Sequence, residues 1–301
     1  MKTVRVIGIG QACVDYLGRI GSYPPEDGKI ELMDLSMQCG GPAATALVTL
    51  SRLGVKSSFI GSISDDYFGK KILEGLHSED IDTTNLKITP GFSSQFAFIA
   101  ITQRTAKRSI FWRRGTVPFL ESEDISIGGF SEAKVLHLDS LMIEAGIEAA
   151  VQARRMGLKV VMDAGTMRKG AERLLPLVDI LIASESFAAP IVRGGISPEK
   201  SIIALKRLCK GTIIVTLGEK GCVGSLNGEM IRQKAFKVKA IDTTGAGDVF
   251  HGAYIYGLLQ EWGVRECMRF ASAVSALKCR KIGAWAGIPG IREVKNFLEK
   301  C

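Results

Sequence analysis

The most informative part of the sequence is residues 242–250. They read Asp-Thr-Thr-Gly-Ala-Gly-Asp-Val-Phe and lead into a mostly apolar segment typical of a helix. Small residues at a helix start leave backbone N–H groups uncovered at the positive end of the helix dipole, so the stretch predicts an anion-binding site. Asp248 lies in the first predicted turn. It either accepts a proton from a hydroxyl brought up to the anion or only caps the helix, and the local sequence does not choose between these roles.

Apolar runs alternate with helical segments along the rest of the chain. Runs such as Val4–Ile9 and Leu158–Asp163 have the continuous apolar character of strands buried on both faces of a parallel sheet. The alternation predicts an α/β fold, with a doubly wound, mostly parallel sheet flanked by helices. Ligands bind beyond the carboxyl ends of the strands in such sheets. That edge is expected to collect Gly40-Gly41, Asp163, Ser184-Glu185, Gly218 and residues 242–250.

Two segments depart from this alternation and are predicted to form a small β lid. Residues 14–38 contain a strand at Val14–Ile20 and an alternating segment at Lys29–Gln38, and residues 94–114 contain an antiparallel strand pair. The chain is predicted to be a single domain, residues 1–301, without an internal repeat. Further local predictions are a strand at Ser57–Ile63, helices at Ala171–Leu177 and Pro198–Lys210, and a hairpin turn at Asn227-Gly228.

Length and composition are those of an ordinary globular protein. The 301 residues are 46% hydrophobic and 23% charged, and no apolar run reaches the length of a membrane span. The chain enters a strand soon after Met1, which predicts no signal peptide. The seven cysteines are scattered and odd in number, so they are interpreted as reduced packing thiols of a cytoplasmic protein. The charge of +8 is spread along the chain, so neither a nucleic acid nor a membrane is predicted as a partner.

Missing motifs exclude several catalytic classes. Gly8-Ile9-Gly10 begins like a dinucleotide fingerprint, but the third glycine and the following helix are absent. The sequence has no P-loop and no GxSxG elbow, and its three histidines lack metal-ligand spacing. An anion site, a Gly-Gly loop and the segment Thr216–Gly221 remain, and phosphoryl transfer requires little more. The helix dipole is expected to keep Asp248 ionised and able to accept a hydroxyl proton.

With these residues in place, the chain resembles the ribokinase-like (PfkB) carbohydrate kinases over essentially its whole length. Two motifs carry the resemblance: Gly40-Gly41-Pro42-Ala43-Ala44 near the start and Asp242–Asp248 near the end. The resemblance implies an ATP-dependent kinase that phosphorylates a sugar hydroxyl. It also implies ATP and Mg²⁺ as cofactors, potassium in many members, and a homodimer formed through the lid.

The resemblance implies roles for individual positions. Asp248 matches the catalytic base, and the anion hole matches Gly245, Ala246 and Gly247. Asp242 and Thr244 match positions that help to hold potassium. Ser184 and Glu185 stand where the family has its NxxE motif for magnesium and phosphate, and Glu185 is the only acid left there. The implied substrate contacts are Asp15, Gly40, Gly41 and Thr45, where Thr45 replaces a common Asn, and the implied nucleotide contacts are Thr216, Gly218, Gly221, Ala273 and Ala276.

The resemblance leaves both neutral and anionic sugars open as substrates. The strings Gly40–Ala46 and Phe236–Gly252 look most like sulfofructose kinases, in which Lys29 matches a lid lysine that meets an anionic tail. Residues 112–115 are similar to those of 2-keto-3-deoxygluconate kinases, which also take an anion. The predicted substrate is therefore a sugar or sugar acid, of the sulfofructose, 2-keto-3-deoxygluconate, fructose or ribose type. Lys29 and Arg113 or Arg114 either bind its anionic group or are solvent-facing lid charges. The alternatives are a nucleoside kinase of the same fold and a non-catalytic sugar or nucleotide sensor.

Overall fold

The computed structural model describes residues 3–192, 197–226 and 228–301. The strands that these residues form are β1 (Val6–Ile9), β2 (Cys13–Ile20), β3 (Asp34–Gly40), β4 (Ser57–Ile60), β5 (Ser62–Ile63), β6 (Lys87–Ile88), β7 (Phe96–Thr102), β8 (Arg108–Arg113), β9 (Val135–Leu138), β10 (Lys159–Ala164), β11 (Ile180–Ser184), β12 (Thr212–Thr216), β13 (Cys222–Leu226) and β14 (Glu229–Gln233). The α-helices are α1 (Pro42–Arg52), α2 (Tyr67–Ser78), α3 (Ile143–Arg155), α4 (Glu185–Ala188), α5 (Pro198–Leu205), α6 (Ala246–Leu259), α7 (Val264–Lys278) and α8 (Ile291–Leu298).

The central sheet confirms the predicted α/β class. Its eight strands run in the order β14-β13-β12-β11-β10-β9-β1-β4, and all neighbours pair in parallel except β12-β13 and β13-β14. Strands β1 and β9 are buried at every position, which explains their uninterrupted apolar sequences. The chain order reverses direction around β1, so the carboxyl ends of β1, β9 and β10 border a crevice at one edge of the sheet.

Two hydrophobic cores cover the two faces of this sheet. One packs the buried sides of α1, α6 and α7 against the strands, and the other packs α3 with α4 and α5. Small residues allow α3 to approach the sheet closely, since this helix buries Ala145, Ala149 and Ala153 along one stripe. Helix α6 is apolar nearly all round and is held between α1 and α7. The helix that begins with the anion-site stretch is therefore anchored on both sides.

A second sheet of four strands, in the order β3-β2-β7-β8, forms the lid. Strands β2 and β7 pair in parallel, whereas β3 and β8 are antiparallel to their neighbours, as predicted for the 96–102 and 108–113 pair. Alternation of side chains gives the sheet two faces. One face carries Asp15, Ile99 and Trp112 toward the crevice of the central sheet, and the other carries Phe98 and Phe111, whose ring centroids are 6.2 Å apart.

The structure differs from four local predictions. The segment Lys29–Gln38 becomes a strand only from Asp34, because β2 ends at Ile20 and its last partner on β3 is Asp34, opposite Arg19. The strand at Ser57–Ile63 divides at Gly61 into β4 and β5, which belong to different sheets.

The other two differences concern helices. Ala171–Leu177 forms two short 3₁₀ turns instead of one helix, since Pro176 has no N–H to continue an α-helical ladder. Helix α5 ends at Leu205, before the expected Lys210. The predicted hairpin pairs β13 with β14, but Asn227 of its turn lies outside the described residues.

Three further expectations concern the whole chain. All seven cysteines are free, as the sequence predicted. Within residues 3–192, 197–226 and 228–301, no helix is long and apolar enough to cross a membrane. The same described residues hold no cluster of three or more His, Cys, Asp or Glu side chains suited to a metal ion.

Candidate functional site

A cleft of about 600 Å³ lies between the central sheet and the lid. Its floor is formed by the carboxyl ends of β1, β9 and β10 and by the start of α6, and its roof is the inner face of the lid. The cleft brings together residues that are more than 200 positions apart in the sequence. Its lining includes Asp15, Gly41, Arg108, Trp112, Asp139, Asp163, Arg168, Thr244, Gly245 and Asp248.

The start of α6 has the geometry of an anion site. Gly245 is the N-cap residue with a φ of 73°, a left-handed conformation that favours glycine, and no side chain caps the helix. Among the described residues, the N–H groups of Gly247 and Asp248 have no hydrogen-bond acceptor, whereas Ala246 N–H donates to the Thr243 carbonyl. A Cβ at Gly247 would meet nothing within 4 Å, so the space beside this residue is open, and its neighbours Gly245 and Asp248 line the cleft. The position therefore offers unpaired donors and the positive helix end to a bound anion.

Asp248 lies at this open helix end, half-buried on the floor of the cleft. Burial, together with the charge of Asp163, raises the pKa of its carboxyl to about 6, while His251 and Arg108 oppose the shift. Removal from water therefore outweighs the helix dipole in setting the direction of this pKa shift. A pKa of about 6 still leaves Asp248 mostly ionised at neutral pH. A base with a pKa near the working pH is also the better proton acceptor for catalysis.

A buried ion pair lies beneath Asp248. The Asp163 carboxylate is 3.2 Å from Nε2 of His251, and this imidazole lowers the pKa of Asp163 despite its burial. His137 stacks near His251 with ring centroids 5.9 Å apart, and burial lowers the pKa of His137 to about 4. His137 and His251 thus belong to the support of the floor.

The Gly-Gly loop makes room for Asp15. A Cβ at Gly40 would overlap the Asp15 carboxylate, and Gly41 has a φ of 97° with its Cβ position 2.5 Å from the Gln11 carbonyl oxygen. The glycines are thus required by neighbouring protein atoms, a tighter constraint than the ligand approach that the sequence suggested. Asp15 accepts a bond of 3.1 Å from the Cys13 thiol, and burial raises its pKa to about 6. Its carboxylate faces the cleft and is available to a ligand hydroxyl.

Lys29, Arg113 and Arg114 do not face the cleft, so the structure favours the second alternative, that they are lid charges without a contact to an anionic group. Along β8, Arg108, Ile110 and Trp112 face the cleft, so Arg113 points to the outer face. Arg114 bonds the Val117 carbonyl and stacks on Phe119, away from the floor. Lys29 is exposed and does not line the cleft.

Two other arginines take the positions facing the cleft. Arg108 donates to the Thr243 hydroxyl at 3.0 Å and so joins the lid to the anion-site loop. Arg168 follows β10 and lies 6.0 Å from the ring centroid of Trp112.

Thr45 does not reach the cleft. It is fully buried in α1, and its hydroxyl accepts a bond of 3.0 Å from the indole of Trp285. The structure therefore supports a packing role for Thr45. Thr45 does not supply the sugar contact that the family's Asn is expected to make at this position.

The residues predicted to bind a nucleotide divide into two groups. Ser184 caps α4 and donates to the Gly165 carbonyl at 2.6 Å, which places the exposed Glu185 beside the cleft. Thr216 ends β12, and Gly218 and Gly221 follow in a turn where both have positive φ. Ala276 is half-buried on α7, but Ala273 is fully buried in the core. Ala276 is therefore accessible to a nucleotide base, whereas Ala273 is not.

Asp242 and Thr244 are brought together as predicted, but their polar atoms form hydrogen bonds with each other, and those of Asp242 also accept from Gly283 and Lys278. Asp242 Oδ1 accepts from the N–H and the hydroxyl of Thr244, and Oδ2 accepts from the N–H of Gly283 at 2.7 Å. The ammonium of Lys278 donates to the Asp242 carbonyl at 3.0 Å and lies 3.8 Å from Oδ2. Lys278 was not identified from the sequence.

Sequence analysis also missed Asp139. It is buried and accepts from the N–H groups of Gln11 and Leu141, and burial raises its pKa to about 7. Asp139 directly follows β9, and Asp163 is the penultimate residue of the neighbouring β10, so the sheet order contained a signal for Asp139. Arg108 was recoverable from the two-residue periodicity of β8, since it shares the parity of Trp112.

The chain is similar to known proteins over nearly its whole length. Residues 4–290 match the model of the pfkB family of carbohydrate kinases. The ribokinase of Haemophilus influenzae is 31% identical over 99% of both chains. The 5-dehydro-2-deoxygluconokinase of Bacillus subtilis is 27% identical over 99% of this chain and 97% of its own. The ribokinase structure of Thermotoga maritima superimposes with a TM-score of 0.84 at 24% identity, covering 98% of this chain and 99% of the other.

The chain belongs to the pfkB family of carbohydrate kinases. The predicted class, an ATP-dependent sugar kinase of ribokinase-like fold, is confirmed. The similarity to sulfofructose kinases remains a prediction.

Proposed function

We propose that this kinase transfers the γ-phosphoryl group of ATP to a hydroxyl of an anionic sugar or sugar acid, with Asp248 as the base. One observation carries the proposal: the Asp248 carboxylate and the unpaired N–H groups of the α6 start share a cleft with Asp15. The structure of Arabidopsis thaliana ribokinase, which matches this fold with a TM-score of 0.80, contains ribose and ATP. That complex supports a cleft shared by sugar and nucleotide here.

In the proposed reaction, the acceptor hydroxyl gives its proton to Asp248 as its oxygen bonds to the γ-phosphorus. The bond from this phosphorus to the bridging oxygen of ADP breaks, and ADP leaves with that electron pair. The N–H groups of Gly247 and Asp248 donate to the equatorial oxygens of the transferring group. Arg108, which bonds Thr243 and lowers the pKa of Asp248 by its charge, adds a cation on the lid side.

Magnesium fits the site with a limited set of protein ligands. Mg²⁺ is commonly held by one or two carboxylates together with nucleotide phosphates and water, and Glu185 supplies an exposed carboxylate at the start of α4. A related Escherichia coli structure of the same fold, at 20% identity, contains ATP and Mg²⁺. We propose that Glu185 faces this ion, whose charge offsets that of the phosphates when it is bound. Ser184, Thr216, Gly218, Gly221 and Ala276 form the proposed nucleotide side.

The anionic character of the sugar rests on Arg168. Its guanidinium lies 6.0 Å from the ring centroid of Trp112, and both residues line the cleft as well as a second cavity of about 380 Å³ that also contacts Lys169. A carboxylate or sulfonate at this end matches the planar fork of an arginine. The relatives include a kinase named for 5-dehydro-2-deoxygluconate, which is itself a sugar acid.

Replacing Arg168 by Gln is expected to raise the KM for the sugar by about tenfold to a hundredfold, since hydrogen bonds to charged groups contribute about 1.5–3 kcal/mol. Arg113→Gln is the matched control, because Arg113 lies on the outer face of the lid. Initial rates at varied sugar concentration and saturating ATP give the KM for the sugar of each variant. An equal KM for wild type and Arg168→Gln would exclude Arg168 as the anion contact.

Turnover is expected to fall as the pH drops below about 6, with a pKa near 6 in the profile of kcat/KM against pH. The base acts when ionised, so protonation below its pKa removes activity, and the raised pKa of Asp248 moves this loss toward neutrality. Rates measured from pH 5 to pH 8 in buffers of constant ionic strength test the expectation. A profile that is flat down to pH 5 would show that the group with this pKa takes no part in the rate-limiting step.

The phosphoryl acceptor can be identified with a substrate panel. Ketoses, aldoses, sugar acids, sulfosugars and nucleosides are incubated with ATP labelled at the γ-phosphate, and label in the acceptor is measured. Transfer to an anionic sugar is the expected result, and preferential transfer to a nucleoside would favour the nucleoside-kinase alternative. Tight binding of a sugar without any transfer of label would indicate a sensor and reject the kinase proposal.

We also propose that the outer face of the lid pairs with a second copy of the chain. This face exposes the large apolar side chains of Leu35, Met37 and Phe111, which are 40–59% exposed. Apolar patches of this kind mark interaction surfaces. Sedimentation velocity at micromolar concentration tests the proposal, since a monomer with sugar and nucleotide present would contradict it.

A further inference from the structure

The clearest unexplained group outside the reaction centre is Lys278, at the last position of α7. Its side chain is fully buried, as is that of Asp242, and the two form an ion pair with 3.8 Å between Nζ and Oδ2. Buried lysines are rare because removing an ammonium from water is costly, so a buried lysine that is kept needs a specific partner. The reaction described above makes no use of Lys278 itself.

Asp242 is the residue that connects Lys278 to the anion site. One oxygen of its carboxylate accepts hydrogen bonds from the N–H and the hydroxyl of Thr244, and the other accepts one from the N–H of Gly283. Its backbone carbonyl accepts a hydrogen bond from the ammonium of Lys278. The N–H groups of Ile241 and Asp242 both donate to the Cys279 carbonyl. Thr244 directly precedes Gly245, the N-cap of α6. A cation at the position of Nζ therefore fixes the loop that orients the phosphoryl-binding N–H groups.

The same atoms do not fit a potassium ion. The described residues supply one carboxylate here, that of Asp242, and the ammonium of Lys278 already balances its charge. Each oxygen of this carboxylate also accepts at least one hydrogen bond from a protein donor. Adding a monovalent cation would place a second positive charge beside the ammonium with no further anion, and like charges in a buried site repel strongly. The negative end of the α7 dipole also favours a cation at Lys278.

We propose that the ammonium of Lys278 is a built-in monovalent cation, so that the enzyme needs no potassium and Lys278 acts as a positioning residue for the anion site. Burial lowers the pKa of Lys278 and Asp242 opposes this shift. The proposal rests on the proposed kinase reaction for its kinetic consequence, but its effect on stability is independent of that reaction.

The wild-type protein provides the first test. Its melting temperature, and its phosphoryl-transfer rate if an acceptor is found, are measured in potassium, sodium and choline chloride at one ionic strength, so that screening by salt is constant. The values are expected to agree in all three salts. A rate or a melting temperature that rises with potassium in a saturable way would overturn the proposal, because it would reveal a cation site that Lys278 does not fill.

The second test uses Lys278→Met, which keeps the length of the side chain but removes its charge. In choline chloride, we expect the melting temperature to fall by roughly 10 °C, as for breaking a buried ion pair, and turnover to fall by about 10²-fold through misplacement of the loop. Potassium or ammonium ions are expected to restore part of both losses. Lys281→Met, at an exposed lysine three positions later, is the control and should match wild type.

The outcomes separate this proposal from that of the kinase reaction. If the variant does not fold, the wild-type salt series still decides. If wild type transfers no phosphoryl group, the kinase proposal fails while the melting temperatures still test Lys278. A folded Lys278→Met protein with unchanged stability and turnover in choline chloride would overturn the assignment.

Discussion

Asp248→Asn is expected to lower kcat by about 10²- to 10⁴-fold, the range that a positioned general base contributes. Asn has the same shape and keeps an oxygen that accepts hydrogen bonds, but it cannot take the proton of the acceptor hydroxyl. The fold should be unaffected, because the substitution removes a carboxylate whose charged form is disfavoured by burial and by Asp163. Turnover, sugar affinity and melting temperature are measured on the same preparation, and only turnover should change strongly.

A helix cap elsewhere in the chain provides the matched control. Asp66 is the N-cap of α2, and its carboxylate accepts a bond of 2.8 Å from the N–H of Gly69. Asp66→Asn should keep full turnover, with a modest loss of stability. If Asp248→Asn behaved in the same way, Asp248 would be only a helix cap and its assignment as base would be wrong.

Gly247→Ala is expected to lower turnover by about 10²- to 10³-fold, comparable to the loss of one oxyanion-hole donor. A Cβ at this position meets no protein atom within 4 Å, so the added methyl group enters the open space in front of the helix. Side chains of a helix tilt toward its N-terminus, which is where the phosphoryl group is proposed to bind. The methyl group would therefore hold the anion away from the N–H groups without disturbing the protein.

Stability separates this effect from damage to the fold. Gly→Ala at a position compatible with a helix changes the free energy of unfolding by only about 0.4–1 kcal/mol, usually in favour of the folded state. Gly247→Ala should thus melt at or slightly above the wild-type temperature. Gly245→Ala is the contrast, since Gly245 has a φ of 73° and its Cβ position is 2.7 Å from Cβ of Ala284. Gly247→Ala with normal turnover would show that no anion binds at this helix end.

The fold was largely predictable because its signals are local and repeated. Buried parallel strands such as β1 and β9 are short apolar runs, and the helices between them have their own periodicity. The failures occurred where pairing depends on distant residues. Residues 29–33 do alternate between apolar and polar side chains. They precede Asp34, the first residue of β3, and the described part of the chain provides no strand that pairs with them. Likewise, only the sheet arrangement explains why the chain changes sheets at Gly61.

The site was predictable in its motifs and less so in its charges. Asp248 and the glycines before it are encoded in one continuous stretch, whereas the raised pKa of Asp248 depends on burial in the cleft and on Asp163, 85 positions earlier. Arg113 was chosen for its neighbours in sequence, although strand parity assigns the inner face to Arg108. Lys278 carried no signal, because its position on α7 looks like an ordinary basic residue in a last helical turn.

The central claim is that Asp248 accepts the proton of the sugar hydroxyl at an anion site formed by the start of α6. The most direct test is a crystal structure of the wild-type protein with the sugar identified by the panel and a non-transferable ATP analogue. We predict an acceptor hydroxyl oxygen within about 2.6–3.2 Å of an Asp248 carboxylate oxygen, and γ-phosphoryl oxygens on the N–H groups of Gly247 and Asp248. A hydroxyl held by another base, with phosphoryl oxygens away from this helix end, would contradict the claim.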